Sequence, residues 1–355
     1  MTAPPVERRA GRRVPPNATL RDVADVAGVS IATVSRVLTG ARASRPDTRD
    51  RVLAAAVELD YRPSALGRAL KLQQTHTLGL LITDIENPFF PEIVRAVEDA
   101  AHQRGYAILL CSATDEPRRE LAYINLLLER RVDGIIVAAS QVPARHAALL
   151  ARAPVPVVLV NCAAPRSGLA SISSDNRGGG RAAAEHLLGL GHLRLGLITG
   201  PPANAAAAVR LAGVQDAIRA AGTAEIALTI VEGDAHVAGG ERATRQLLDL
   251  APLTTAIVCY NDLTAMGVMR ALRALGRVVP DDVSVVGFDD IDLAQWTDPP
   301  LTTIAQQKAE MGRWAFAHIA DAIGRGHETA PTRRLATSLV IRGSSARPKG
   351  NRPDA

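Results

Sequence analysis

The sequence predicts a multidomain chain, with an all-α helix-turn-helix segment at the N-terminus and then a two-lobed α/β region of doubly wound parallel sheets. Three observations carry this. The 355 residues exceed what one compact core holds. Two short amphipathic stretches separated by a glycine turn lie between Leu20 and Leu38. From Thr77 onward, apolar strand-like runs alternate with amphipathic helical ones, the pattern of parallel sheets covered on both faces.

Composition bounds the functions. Hydrophobic residues make up 47% and charged residues 22%, ordinary values for a globular chain. The net charge of +5 is unevenly placed: residues 1–75 carry 13 Lys/Arg against 7 Asp/Glu, and the remainder 28 against 29. The excess therefore sits in the first fifth, where it suggests a polyanionic partner. Part of it is the arginine tail Arg8-Arg9 and Arg12-Arg13, yet residues 17–75 remain net positive without that tail. Cys111, Cys162 and Cys259 are far apart in apolar runs, so they read as reduced, buried small hydrophobes rather than a disulfide or metal framework. No metal and no cofactor is expected. Met1–Pro16 lacks an apolar stretch of signal-peptide length, and no run approaches the ~20 apolar residues of a membrane span. The expected location is cytoplasmic, with no membrane partner.

The helical segment can be read element by element. Thr19 caps a first helix, with Asp22 returning a bond from the third position, and Leu20, Val23, Ala24 and Ala27 form its apolar face. Gly28 ends it in a left-handed conformation. Ser30 opens a second helix with Ile31, Val34, Val37 and Leu38 apolar, closed by Gly40. A three-residue turn containing glycine forces a steep crossing and leaves the second helix free to project into a major groove. A third helix has Pro46 in its first turn, preceded by Arg45 in place of a capping residue. Val52, Leu53, Ala56 and Leu59 are expected to face inward, and Tyr61-Arg62-Pro63 ends the helix.

The string from Thr19 through LRDVADVAGVSIATVSRVL to Thr39, followed by TRDRVLAAAVELDYRPSALGRALK over 48–71, resembles the opening of the lac repressor family of regulators. The resemblance implies a sequence-specific DNA-binding repressor acting as a homodimer on a palindromic operator. It makes 31–38 the recognition helix, with Ile31, Ala32 and Arg36 toward base edges and Thr33, Thr48 and Arg49 on phosphates. Thr19 and Ser64 are further DNA contacts. By side-chain chemistry, Arg36 is the long donor of that helix and can pair bidentately with guanine, whereas Ile31 and Ala32 offer only apolar contact. The spacing of Ile31 to Val34 suits core packing equally well, and Arg36 alone would also suit a solvated surface. Residues 64–71 have helical propensity but are too short to hold a helix in water, so they suit folding on binding. The resemblance makes them a hinge whose Leu70 enters the minor groove; the plain alternative is a tether.

In the second region, strands are expected at 78–83, 106–111, 134–138, 157–161, 195–199, 227–231, 256–260 and 283–288. Helical patterns occupy 92–104, 181–190, 210–221 and 263–275. Eight strands across about 270 residues suit two lobes. The motifs Asp84-IENPFF-Phe90, Arg131-VDG-Gly134, Ser174-DNRGGG-Gly180, Arg210-LAG-Gly213, Tyr260-ND-Asp262, Val283-SVVGFDD-Asp290 and Pro300-LTTI-Ile304 look like the effector domain of the same family, itself similar to periplasmic sugar-binding proteins. Ligands in such folds sit beyond the carboxyl ends of the strands. Asp84, Asn161, Asp175, Asn261 and Asp289 fall there, with Arg210 placed at a helix start. Carried over by motif, Phe89, Asp175, Asn204, Arg210, Asn261, Asp289 and Gln306 line an effector cleft. For Asp84 and Asp175 a turn or helix-cap role is the competing reading. The expected effector is a sugar or sugar derivative, with a purine or other metabolite behind it. Ala235 stands where many relatives place a stacking aromatic, so a small or unusual ligand is expected.

The resulting layout is a disordered basic tail over 1–16, a helix-turn-helix domain over 17–62, a hinge over 63–75, an effector-binding and dimerisation domain over 76–345, and a disordered tail over 346–355. The N-lobe is about 76–174 plus 306–335 and the C-lobe about 175–305. The competing classes are an enzyme, a transport-binding protein, and a DNA-binding protein that has lost its ligand. Gly178-Gly-Gly180 is not a GxGxxG phosphate loop, and no Ser/His/Asp order or P-loop is present, so no enzymatic activity is expected.

Overall fold

The computed structural model describes residues 18–38, 45–61, 74–114, 116–138, 142–162, 168–323 and 330–349. It divides into two compact units, residues 1–75 and 76–355.

The first unit is three helices: α1 (Leu20–Ala27), α2 (Ile31–Leu38) and α3 (Pro46–Glu58). Thr19 and Asp22 form the expected capping box: the Thr19 N–H donates to Asp22 Oδ2 at 2.8 Å, and Thr19 Oγ1 accepts from the Asp22 N–H at 3.4 Å. Gly28 ends α1 at φ +64°, left-handed backbone that glycine adopts without strain. Val23, Ala24, Ala27, Val34, Val37, Val52, Ala55, Ala56 and Leu59 share one core. Arg45 makes no side-chain cap to α3, where Pro46 instead presets the first turn. One inward assignment is corrected: Leu53 is 41% exposed, because the buried stripe of α3 runs through Val52, Ala55 and Ala56.

The second unit holds two six-stranded sheets. The first contains β1 (Thr77–Ile82), β2 (Ala107–Ser112), β3 (Gly134–Ala138), β4 (Val157–Val160), β5 (Ala170–Ser174) and β11 (Thr332–Leu335), in the order β11-β5-β4-β3-β1-β2, all parallel. The second contains β6 (Arg194–Thr199), β7 (Ala227–Glu232), β8 (Ala256–Cys259), β9 (Ser284–Asp289), β10 (Thr302–Ala305) and β12 (Ser338–Val340). Its order is β12-β10-β9-β8-β6-β7, with only β12 antiparallel. The central strands β3, β4, β8 and β9 are buried throughout, as strands covered on both faces must be, while the edges β2 and β7 mix exposed, half-buried and buried positions. The described helices are α4 (Phe89–Gln103), α5 (Pro117–Glu129), α6 (Ala144–Leu150), α7 (Asn176–Gly189), α8 (Ala205–Ala221), α9 (Val237–Leu250), α10 (Asp262–Ala274) and α11 (Lys308–Ala322). None of the described helices is long and apolar enough to cross a membrane.

The chain crosses between sheets three times, after β5, after β10 and after β11. Four strands were not foreseen. β5, β10, β11 and β12 are short and rich in Ser, Thr or Arg, so their sequences show neither an apolar run nor a clear alternation. The C-lobe boundary and the C-terminal tail are corrected accordingly. Residues 338–349 return to the second sheet: the Ala346 carbonyl accepts from His192 Nε2 and Ser284 Oγ, and Lys349 pairs with Asp282. The glycines of 178–180 lie inside α7. Cβ atoms at Gly180 and Gly213 would overlap the backbone of the facing helix, so these glycines let α7 and α8 cross closely. All three cysteines are buried and free.

Candidate nucleic-acid face and ligand cleft

On α2, burial of Val34 and Val37 fixes which face is open. Ile31 is 42% exposed and Ala32 and Arg36 are exposed too, so the core-packing alternative for Ile31 is set aside. Thr33 is half-buried; its N–H and hydroxyl meet Ser30 Oγ at 3.2 and 2.9 Å, which makes Ser30 the cap of α2. Arg36 folds back along the helix, Nη2 reaching Thr33 Oγ1 and Nε reaching the Ala32 carbonyl, each at 3.4 Å. Those long bonds are easily exchanged for a base or a phosphate. Thr48 and the exposed Arg49 lie in the first turn of α3. Ser64 and Leu70 fall outside the described residues.

In the second unit a cleft of about 540 Å³, counting its open mouth, lies at the carboxyl ends of both sheets. In each sheet the strand order reverses at this end, β1 beside β3 and β6 beside β8, and residues after β1, β6 and β8 line the cleft together with ones after β4 and β7 and at the end of β9. Thr83, Asp84, Asn87, Phe89 and Asn161 come from the first lobe, and Asn204, Arg210, Tyr260, Asn261 and Asp289 from the second.

Arg210 organises the second lobe's wall. It stands in the second turn of α8 and does not open that helix, a correction: Asn204 is the cap, accepting from the Ala206 N–H at 3.0 Å. The Arg210 guanidinium lies 3.6 Å from the Phe288 ring centroid. Nε donates to Asn176 Oδ1 at 2.8 Å and Nη1 to the Tyr260 carbonyl at 2.5 Å, while Nη2 stands 3.6 Å from Asp289 Oδ1. Asp289 also accepts from Gln306 Nε2 at 2.6 Å. Burial pushes its carboxyl up to about 6, against the pull of Arg210, Lys308 and Gln306. Behind it, Asp262 accepts from Thr303 Oγ1 at 2.5 Å and the Ile291 N–H at 2.9 Å. Burial, reinforced by Asp289, pushes Asp262 up to about 8. Asn261 caps α10, accepting from the Thr264 N–H and donating to the Ala235 carbonyl at 3.0 Å.

Three cleft residues hold left-handed backbone without being glycine: Asn161 (φ +62°), Ala235 (φ +69°) and Asp289 (φ +116°). Such conformations cost on the order of 1–3 kcal/mol each and gather where a side chain must be aimed. Asn161 Oδ1, in the cleft lining, is a buried acceptor with no partner in the structure, an arrangement that favours a donor from a ligand.

Five of the seven residues expected in the cleft line it: Phe89, Asn204, Arg210, Asn261 and Asp289. Two do not, which corrects their assignment: Gln306 is buried and reaches the site only through its bond to Asp289, and Asp175 caps α7, accepting from the Gly178 N–H at 3.1 Å. Asn87, His236 and Tyr260 also line the cleft. Asn87 and Tyr260 stand inside motifs and His236 in none, and no periodicity marks any of the three as facing a ligand.

Comparison with known proteins follows the same division. A family model described as periplasmic binding proteins and sugar binding domain of LacI family matches residues 75–341. One described as bacterial regulatory proteins, lacI family, matches residues 19–64. The HTH-type transcriptional repressor CytR of Escherichia coli (strain K12) is 37% identical over 328 residues, 92% of this chain and 96% of that one. The ribose operon repressor of the same strain is 39% identical over 330 residues, 92% of this chain and 100% of that one. Among solved structures, the lac repressor dimer bound to operator and the anti-inducer ONPF is 30% identical, with a TM-score of 0.83, covering 93% of this chain and 99% of that one.

Proposed function

The chain belongs to the LacI family of bacterial regulatory proteins, and from that premise we propose that it is a cytoplasmic, homodimeric transcriptional repressor whose hold on a palindromic operator is set by a small effector. The effector is a sugar or sugar derivative bound in the cleft of residues 76–349, and the protein carries out no catalytic step. The observation that carries the effector half is the buried, unpartnered acceptor Asn161 Oδ1 in a cleft lined also by Asp289, Arg210 and Asn261. Vicinal hydroxyls meet such a set, since each can donate to one group while accepting from the next.

On the DNA side, Arg36 reads a guanine, with Ile31 and Ala32 in apolar contact beside it and Thr19, Thr33, Thr48 and Arg49 on phosphates. Ser64 and Leu70 belong to a hinge that folds on the operator, where Leu70 wedges a base step open. Two-fold symmetry of the dimer matches the two half-sites. Ligand and operator affinities are then linked reciprocally, by a coupling on the order of 1–3 kcal/mol.

The test is to select an operator from a random duplex library with the full chain, then titrate it by fluorescence anisotropy with and without a panel of sugars and nucleosides. A palindromic consensus and a sugar that shifts the operator affinity are the expected results. Selection of no consensus would defeat the repressor reading, and a nucleoside as the sole active compound would replace the sugar. In the same assay Leu70→Ala should lose specific affinity while keeping salt-sensitive binding to random DNA.

A further inference from the structure

The cleft wall next to Asn204 is made by one large side chain, that of Tyr260, which directly follows β8. Tyr260 is only 8% exposed and its ring is held on several sides. One edge lies against Gly200, where a Cβ would come within 2.7 Å of Cδ2 and Cε2. The hydroxyl accepts from Asn204 Nδ2 at 2.5 Å. The Arg210 guanidinium sits 4.7 Å from the ring centroid and holds the main-chain carbonyl of the same residue. Meanwhile Ala235, which also lines the cleft, contributes a methyl group alone. A ring fixed in this way cannot swing aside cheaply, because that would break the Asn204 bond and unstack the guanidinium together.

Charge adds a second restriction. Arg210 is the one arginine among the described lining residues, and its charge already faces Asp289. Asp234 is paired with Arg242, and Asp84 adds a further carboxylate to the lining. An anionic group entering this cleft would meet carboxylates and no unspent guanidinium.

We propose that Tyr260 sets the size of the effector, closing the cleft on the Gly200–Asn204 side so that it admits a neutral ligand of one sugar ring and rejects phosphorylated sugars and ligands with a second ring. This rests on the carbohydrate reading of the cleft given above. Removing the ring opens the space beside Gly200; adding a methyl at Gly200 pushes the ring further in.

Isothermal titration of the full chain with D-ribose, D-glucose, cellobiose, adenosine and D-ribose 5-phosphate tests this in four proteins: the parent, Tyr260→Phe, Tyr260→Ala and Gly200→Ala. The parent should bind a monosaccharide at least about tenfold more tightly than cellobiose, adenosine or the phosphate, the scale on which pocket shape discriminates. Tyr260→Phe should keep that ranking. Tyr260→Ala should narrow or reverse the gap for the two-ring ligands while leaving the phosphate excluded, and Gly200→Ala should weaken the monosaccharide itself. Gly200→Ala keeps the ring, so the inference stays testable if Tyr260→Ala does not fold. If the parent binds monosaccharides but both Tyr260→Ala and Gly200→Ala keep its ranking and affinity, Tyr260 does not set the size. If the parent binds cellobiose or adenosine best, the size restriction is wrong. If none of the sugars binds, the carbohydrate reading falls, and this inference with it.

Discussion

Removing the Arg210 guanidinium should be costly in a manner that pH reveals. Arg210→Met keeps most of the side-chain volume but takes away the donors to Asn176 and to the Tyr260 carbonyl, and leaves Asp289 with Lys308 alone to offset its charge. Both side chains of that pair are buried, at 8% and 7% exposure, so solvent cannot take over. Breaking a buried pair from one side costs about 3–5 kcal/mol, and the lost bonds belong to that same figure and are not added to it. Asp289 already sits at about 6 with Arg210 pulling it down, so without Arg210 its carboxyl rises further. A carboxyl whose folded value lies above its unfolded one penalises the fold only where it must ionise, so the loss should be largest at pH 8 and shrink toward pH 5. Both tryptophans, Trp296 and Trp314, lie in the second unit, and urea unfolding followed by their fluorescence therefore reports that unit alone. Arg210→Met combined with Asp289→Asn should recover part of the loss, since no charge is then stranded. A loss under about 1 kcal/mol at pH 8, or strict additivity in the double variant, would refute the account of Arg210 as the keystone of the wall.

Three further outcomes are expected. Thr19→Ala removes the capping box and should cost about 1 kcal/mol, read as faster hydrogen exchange in α1 with the second unit unchanged. Arg36→Ala should cost about 1–3 kcal/mol on the selected operator and relax one base position per half-site, with little change on random DNA; equal losses on both would make it a phosphate contact. Asp262, held up to about 8, keeps its proton in the fold over a range where the unfolded chain has released it. Stability of the second unit should thus fall as pH rises from 6 to 8 and level off beyond. Asp262→Asn, which can still accept from the Ile291 N–H and donate to Thr303, should flatten that slope in thermal melts.

How much of this could be read beforehand differs between the two units. In the first, the cap at Thr19, the stop at Gly28 and the buried Val23, Val34 and Val52 follow from local chemistry and a 3.6-residue period, since a helix satisfies its own backbone. Even there Leu53 was misplaced, because which neighbouring residue of a short helix faces inward depends on the partner's angle. In the second unit the fully buried strands announce themselves as apolar runs, whereas β5, β10, β11 and β12 do not; β11 and β12 in particular are placed by pairing with β5 and β10, strands apart from them in sequence. Local chemistry and patterning already specify the helix-turn-helix, the change to alternating strands and helices, the central strands and several cleft residues. Long-range packing is what makes Asp175 cap α7 away from the cleft, commits Arg210 to Asn176, Tyr260 and Asp289, and returns 338–349 to the second sheet. The reason is one of range: caps, turns and periods are settled within a few residues, while the aim of a side chain at a strand end depends on loops and sheets that meet only after the chain has crossed between lobes three times.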